Sequence, residues 1–299
     1  MSLLIPDARR SLLGGLIDDG ALLRPAPPTV ESAVDSYLRL RTTEHGWMVG
    51  RLVVPASQLD ELAATLVSVL KPGDASVPIV TAFGSDAVSD ASMAAAVHTL
   101  LDPAARIEGV LLPRHSSEPA EGVAGAIATG NGIQPGVLSM AGLPLHVPPD
   151  EVLQALAAAS AVELRTSGLW LDLRSESVEP DALATVICQT AQLAVPFTVL
   201  CSELPAITQA HQHSHRPRYG ALNLLAATLS ADSARPEVAA ILTDDNPQTY
   251  NIEFGGLTRN GESIRLSGSV GANRSPLVSL TTLEAAETLA ALGSFDGTS

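Results

Sequence analysis

Three histidines alternate in one short polar stretch, His211-Gln212-His213-Ser214-His215, and Arg216 and Arg218 follow on either side of Pro217. Imidazole titrates near neutrality, so His213 or His215 suits general acid or base work. Such a ring needs an orienting group, and Glu203 stands a few residues upstream. Guanidinium groups made rigid by an intervening proline favour carboxylate or phosphate ligands. Surface ion pairing in an acidic chain is the plainer reading of the same arginines. Alternating histidines in an extended segment also project to one side, where neutral imidazoles can bind Zn²⁺ or a similar ion. No Cys pair accompanies His211, His213 and His215, and no metal is assigned. A solvated loop with incidental histidines is the alternative.

This loop has a strand before it and a helix after it. Pro196-Phe197-Thr198-Val199-Leu200-Cys201 is an apolar run with the length of a buried strand, and Tyr219 to Leu229 reads as a helix. α/β proteins place their chemistry where a strand ends in a polar loop and enters a helix. Asn223 lies at that helix entry, where backbone N–H groups can hold an anion, although such a residue more often caps or packs. Cys201 at the strand end would need a nearby base to act as a nucleophile, and a buried structural thiol is the commoner case.

The rest of the chain repeats this alternation. Strands are predicted at Met48–Val54, Val77–Ala82, Ile107–Leu112, Gly136–Met140, Ala161–Leu164 and Leu169–Leu173. Helices are predicted around Ala8–Ile17, Val30–Leu40, Ser57–Leu70, Asp90–Leu101, Glu118–Ala128, Glu151–Ala159, Pro180–Leu193, Pro236–Leu242 and Leu283–Leu292. Short continuous apolar strands separated by three-turn helices imply a parallel sheet covered on both faces. The expected fold is an α/β, (β/α) barrel-like domain over residues 44–299, with an open doubly wound sheet as the alternative. Residues 1–43 read as an N-terminal helix and Pro-rich arm, Arg24-Pro25-Ala26-Pro27-Pro28. Tyr250–Phe254 and Ser263–Leu266, around Arg259-Asn260-Gly261-Glu262, read as a short antiparallel C-terminal appendage.

In a barrel, residues just after each strand share one mouth. That places Arg114 and His115, then Arg174, Ser175 and Glu176, then Ser202, Glu203 and the histidine loop on a common rim. Arg114, Arg174, Arg216, Arg218 and Asn223 are the expected substrate-binding residues, and His213, His215 and Glu203 the expected catalytic ones.

Composition limits the partners. The formal net charge of −15 opposes nucleic acid and anionic membrane, and no basic run offsets it. No apolar run approaches the roughly 20 residues that span a bilayer, and the first residues lack the pattern of a signal peptide. With two cysteines there is no disulfide framework, and the expected setting is cytoplasmic. Sixteen arginines stand against one lysine, Lys71, which lies in the turn Lys71-Pro72-Gly73-Asp74, so Schiff-base chemistry is disfavoured. No G-x-G-x-x-G follows the first predicted strand and no Walker A motif occurs, so no nucleotide cofactor is expected.

Three segments carry a resemblance: Leu173-Arg174-Ser175 before Pro180-Asp181-Ala182-Leu183-Ala184, Val195-Pro196-Phe197-Thr198, and Gly220-Ala221-Leu222-Asn223-Leu224-Leu225-Ala226-Ala227. Over Leu171 to Ala227 the chain resembles a little-described family of bacterial α/β-barrel proteins of unknown activity. The family pattern has Lys-x-Arg on the first strand, Phe-Lys on the second and His-Gly before the last segment. Arg174 and Asn223 match it, whereas Asp172, Thr198 and Tyr219 stand at the other places. The resemblance implies a barrel and no particular reaction, and the missing lysines imply an altered or lost activity.

Three functions follow as expectations. The first is a barrel that binds a small anionic metabolite, with lyase or isomerase chemistry run by a histidine and Glu203. The second is a non-catalytic pseudoenzyme or assembly subunit, homo-oligomeric or bound to another protein. The third is a metal-dependent hydrolase built on His211, His213 and His215.

Overall fold

A computed structural model describes residues 8–71, 73–84, 87–101, 104–112, 137–143, 150, 152–154, 156–157, 167–174, 178–210, 217–253, 256–264 and 276–295. Eight parallel strands close into a barrel. They are β1 (Ile17–Asp19), β2 (Val49–Pro55), β3 (Val77–Ala82), β4 (Ala105–Leu111), β5 (Leu138–Leu143), β6 (Ser167–Asp172), β7 (Phe197–Cys201) and β13 (Leu277–Thr282). Each pairs in parallel with its neighbours, and β13 closes the ring between β7 and β1. Closure sets aside the open doubly wound alternative.

The strands foreseen from apolar runs lie where expected, from Val49–Pro55 through Phe197–Cys201. The two that complete the ring were not foreseen. β1 falls inside the segment expected as helix and arm, and the helix expected over Ala8–Ile17 ends at Leu13 as α1 (Ala8–Leu13). β13 carries Ser279, Thr281 and Thr282, which break the apolar signature. Glu118–Ala128 and Ala161–Leu164 lie outside the described residues.

Helices α2 (Val30–Arg41), α3 (Leu59–Val69), α4 (Ala87–Leu101), α5 (Pro180–Gln192), α6 (Ala221–Leu229), α7 (Arg235–Thr243) and α8 (Ala285–Gly293) surround the strands. α2 starts where the proline run ends, because the Thr29 hydroxyl accepts from Ser32 N at 3.2 Å and caps the first turn. The antiparallel sheet is present as β10 (Tyr250–Glu253), β11 (Gly256–Arg259) and β12 (Glu262–Ser263). It is inserted between α7 and β13, so the barrel resumes after it. A two-stranded hairpin, β8 (Gln209–Ala210) with β9 (Pro217–Arg218), lies between β7 and α6.

Side chains alternate across each strand and sort into two cores. Along β2, Leu52 and Val54 join the large core beneath the helices, whereas Val53 joins a second cluster with Val80, Leu111, Met140, Trp170, Leu200 and Leu283. That second cluster fills the barrel interior. It needs no polar partner except at Trp170, whose Nε1 donates to Leu112 O at 2.7 Å.

One polar network shares the interior. Arg51 Nε donates to both Asp18 carboxylate oxygens at 3.2 and 3.1 Å, and Nη2 donates to Oδ2 at 2.6 Å. Arg51 Nη2 also donates to Ser279 Oγ at 2.7 Å, which ties β2 to β13. Thr198 Oγ1 lies 2.8 Å from Ser279 Oγ and donates to Ser279 O at 2.9 Å, which extends the network to β7. Asp18 and Ser279, two of the polar residues that hide β1 and β13 from a hydrophobicity reading, are thus the ones whose side chains join them to the ring.

Candidate functional site at the C-terminal rim

Residues that follow the strands converge on the carboxyl end of the barrel. Arg174 comes just after β6, Glu203 just after β7, Glu284 just after β13, and Arg24 after β1 and a 3₁₀ turn (Ala21–Leu23). Each of these arginines meets a carboxylate. Arg174 donates through its backbone N and Nε to Asp172 Oδ1, both at 3.0 Å, and through Nη2 to Oδ2 at 3.0 Å. Its Nη1 reaches back to Leu23 O at 3.1 Å. Arg24 Nη2 donates to Glu284 Oε2 at 2.7 Å, and its Nε and Nη2 donate to Leu283 O at 3.0 and 2.6 Å. Arg218 on β9 pairs with Glu203, so the hairpin is pinned to the end of β7.

Of the residues expected at the site, Arg174, Glu203 and Arg218 therefore occupy one rim, although they are separated in the chain. The same hairpin brackets residues 211–216 in the chain. His211, His213, His215 and Arg216 lie outside the described residues, as does Arg114. Among the described residues no group of three or more His, Cys, Asp or Glu side chains could hold a metal ion.

Asn223 is fully buried and its amide is saturated. Its Oδ1 accepts from Thr208 N at 2.8 Å, and its Nδ2 donates to Ile241 O and Asp244 O at 2.8 Å and to Tyr250 Oη at 3.2 Å. These bonds tie the start of α6 to the end of α7 and to the segment before β8. Gly220, just before α6, is needed for the same junction: a Cβ there would lie 2.4 Å from Thr208 N and 2.5 Å from Asn223 Oδ1.

The three departures from the family pattern each have a partner in this fold. Asp172 holds Arg174, Thr198 belongs to the interior network, and Tyr219 donates its hydroxyl to Val178 O at 2.7 Å. Cys201 is buried, and burial, with the Asp172 charge adding to it, pushes its thiol up to about 12. Such a thiol has almost no thiolate at neutral pH and makes a poor nucleophile.

Sequence reasoning missed Asp19, Arg24 and Glu284. Asp19 ends β1, and burial raises its carboxyl above the usual 3.8 although Ala21 N and Arg24 act the other way. Its Oδ1 accepts from Ala21 N at 3.0 Å and starts the 3₁₀ turn. Recognising β1 and β13 as strands would have placed all three on the rim, since Arg24 and Glu284 flank the elements that follow them.

The described grooves lie elsewhere. One is lined by Ala194, Asp232, Ile264 and Pro276, beside residues that precede β7 and β13, at the opposite end of those strands. A second adjoins it, between the α6–α7 turn and β12, with Asp232, Glu237, Arg259 and Glu262. Among the described residues no helix is long and apolar enough to cross a membrane. Comparison with protein-family models, curated proteins and solved structures finds no match, in agreement with a resemblance to a little-described family of unknown activity.

Proposed function

We propose that the chain is a binding barrel whose C-terminal rim takes a small anionic metabolite, with Glu203 and a histidine of the 211–215 loop supplying acid–base chemistry of the lyase or isomerase kind. The observation that supports this is the Arg218–Glu203 pair on the hairpin that brackets that loop. Both side chains are partly exposed, at 37% and 53%. Exposed ion pairs contribute about 0–1 kcal/mol, so a ligand carboxylate or phosphate can replace Glu203 at little cost. Glu203, once released, is free to orient His213 or His215. Arg174, held in a fork by Asp172, supplies a second cation of fixed position, while Arg114 and Arg216 are proposed to add to it.

The test is thermal-shift titration of the untagged protein with inorganic phosphate, citrate and a panel of carboxylate and phosphate metabolites. A saturable stabilisation that weakens with salt and disappears in Arg218→Ala, but persists in the surface control Arg39→Ala, is expected. No shift at millimolar concentration with any compound would remove this reading.

A second reading, a non-catalytic assembly subunit, is favoured by one specific observation. Val67 on α3 and Leu100 on α4 are each 66% exposed, and these helices are neighbours. Exposed apolar side chains of that size on adjoining elements suit contact with another protein surface. Light scattering above the 30.8 kDa monomer mass, lost in Val67→Glu with Leu100→Glu, is expected under that reading.

A further inference from the structure

The segment between the 3₁₀ turn and α2 lies over the barrel mouth in a particular way. Leu22 and Val30 are buried in the outer core at either end of it and act as anchors. Between them, Pro25, Ala26 and Pro27 are exposed, and prolines contribute no N–H to the body. Leu23 alone in this stretch turns inward and packs on the interior cluster that holds Trp170, Leu200 and Leu283. Two arginines hold it there. Arg174, beyond β6, donates to Leu23 O, and Arg24 grips Leu283 O and Glu284 beyond β13.

We infer that Leu23–Pro28 is a latched flap: Leu23 stoppers the barrel mouth, Arg24 and Arg174 are its latches, and release swings it off the apolar interior. The physical basis is an imbalance. The anchors keep the flap's ends in place, so opening does not disturb the ring of strands. Besides the latch bonds, the flap loses the turn bonds of Leu23 N to Gly20 O and Arg24 N to Ala21 O, at 2.8 and 3.3 Å, and the packing of one half-buried leucine. The Arg24–Glu284 latch is partly exposed on both sides, at 35% and 36%, and so is open to screening by salt. Opening uncovers the part of the interior cluster on which Leu23 packs, which is complementary to an apolar group. The flap shares Arg174 with the proposed anion site but not Arg218 or Glu203, and Arg24, the latch tested below, belongs to the flap alone.

The protein's two tryptophans make the test direct. In a Trp47→Phe background Trp170 is the one reporter, and it belongs to the cluster on which Leu23 packs. Acrylamide quenching of Trp170 is expected to rise about twofold or more in Arg24→Ala, with the far-ultraviolet circular dichroism unchanged, as for a local opening rather than an unfolding. Arg39→Ala, which removes a distant exposed pair with Asp35, is expected to leave quenching unchanged. Should Arg24→Ala fail to fold, the Trp47→Phe protein itself supplies the answer between 0.05 and 1 M salt, where screening is expected to raise quenching by a similar factor. Quenching that stays flat in the latch variant, or flat with salt where that variant does not fold, overturns the flap.

Discussion

Asp18 and Arg51, on adjacent strands, form a forked ion pair inside the barrel, with their side chains 1% and 13% exposed. The pair is further fixed by Ser279 from the strand on the other side of β1. Removing one partner of a buried pair strands the other charge and costs about 3–5 kcal/mol, whereas an apolar replacement of both partners is far milder. Asp18→Ala is therefore expected to lose stability in that range, and Asp18→Leu with Arg51→Met to lose clearly less. Urea unfolding of the three proteins measures it. Equal losses in the single and double variants would show that the pair's charge is not what matters.

The rim pair should behave otherwise. Arg218 and Glu203 are screened by solvent, and Glu203→Gln is expected to change stability by less than about 1 kcal/mol in the same urea measurement. A larger loss would mean that the pair holds the hairpin as a structural clamp.

Asn223→Ala is expected to be among the most damaging single changes. It orphans the buried Thr208 N and takes a donor from Ile241 O, which keeps Tyr250 Oη at 3.1 Å, and from the part-buried Asp244 O; a buried unsatisfied group costs about 1–3 kcal/mol. Asn223→Asp keeps the acceptor for Thr208 N and loses the donors, so it should fall short of the wild type as well. Thermal unfolding of both variants provides the check.

Asp19 sets a pH dependence whose sign can be worked out. Burial raises its folded pKa above the ordinary 3.8, so the ionised form is less favourable in the fold than in the open chain. Its ionisation therefore weakens the fold at neutral pH, and this weakening disappears as pH falls through the raised value toward 3.8. Asp19→Asn, which keeps an oxygen for Ala21 N, is expected to raise the melting temperature at pH 7. The gain should shrink as pH approaches 4. A gain that grows on acidification would contradict the assignment.

Both cysteines should resist labelling. Burial raises the Cys188 thiol and, with the Asp172 charge, pushes Cys201 up to about 12. A thiol reagent at pH 8 is expected to modify neither in the native protein and both after denaturation, as read by mass spectrometry. Rapid native labelling of Cys201 would reopen its candidacy as a nucleophile.

How much of this was visible beforehand depends on where each residue's partners come from. β3 and β7 are legible because Val77–Ala82 and Phe197–Cys201 are buried on both faces and read as apolar runs with a single threonine each. β1 is hidden because only three residues long, two of them aspartates, it is stabilised by an arginine on another strand. β13 is hidden because Ser279, Thr281 and Thr282 interrupt its apolar run, and Ser279 finds its partners on β2 and β7. Arg174 and Glu203 could be placed on the rim from the strands that precede them. Asn223 gave no hint of its commitment, since its partners come from Thr208, Ile241, Asp244 and Tyr250, and no local spacing encodes that meeting.

The position of β13 in the ring has a bearing on biosynthesis. Ile17–Asp19 leaves the ribosome long before Leu277–Thr282, and waits for it before its second edge is covered. Until then β1 and β7 both present open backbone to other chains, and pairing across so long a stretch of sequence is intrinsically slow. A nascent or truncated chain lacking residues beyond 276 would carry two sticky edges, and chaperone contact during translation is where that vulnerability would be felt.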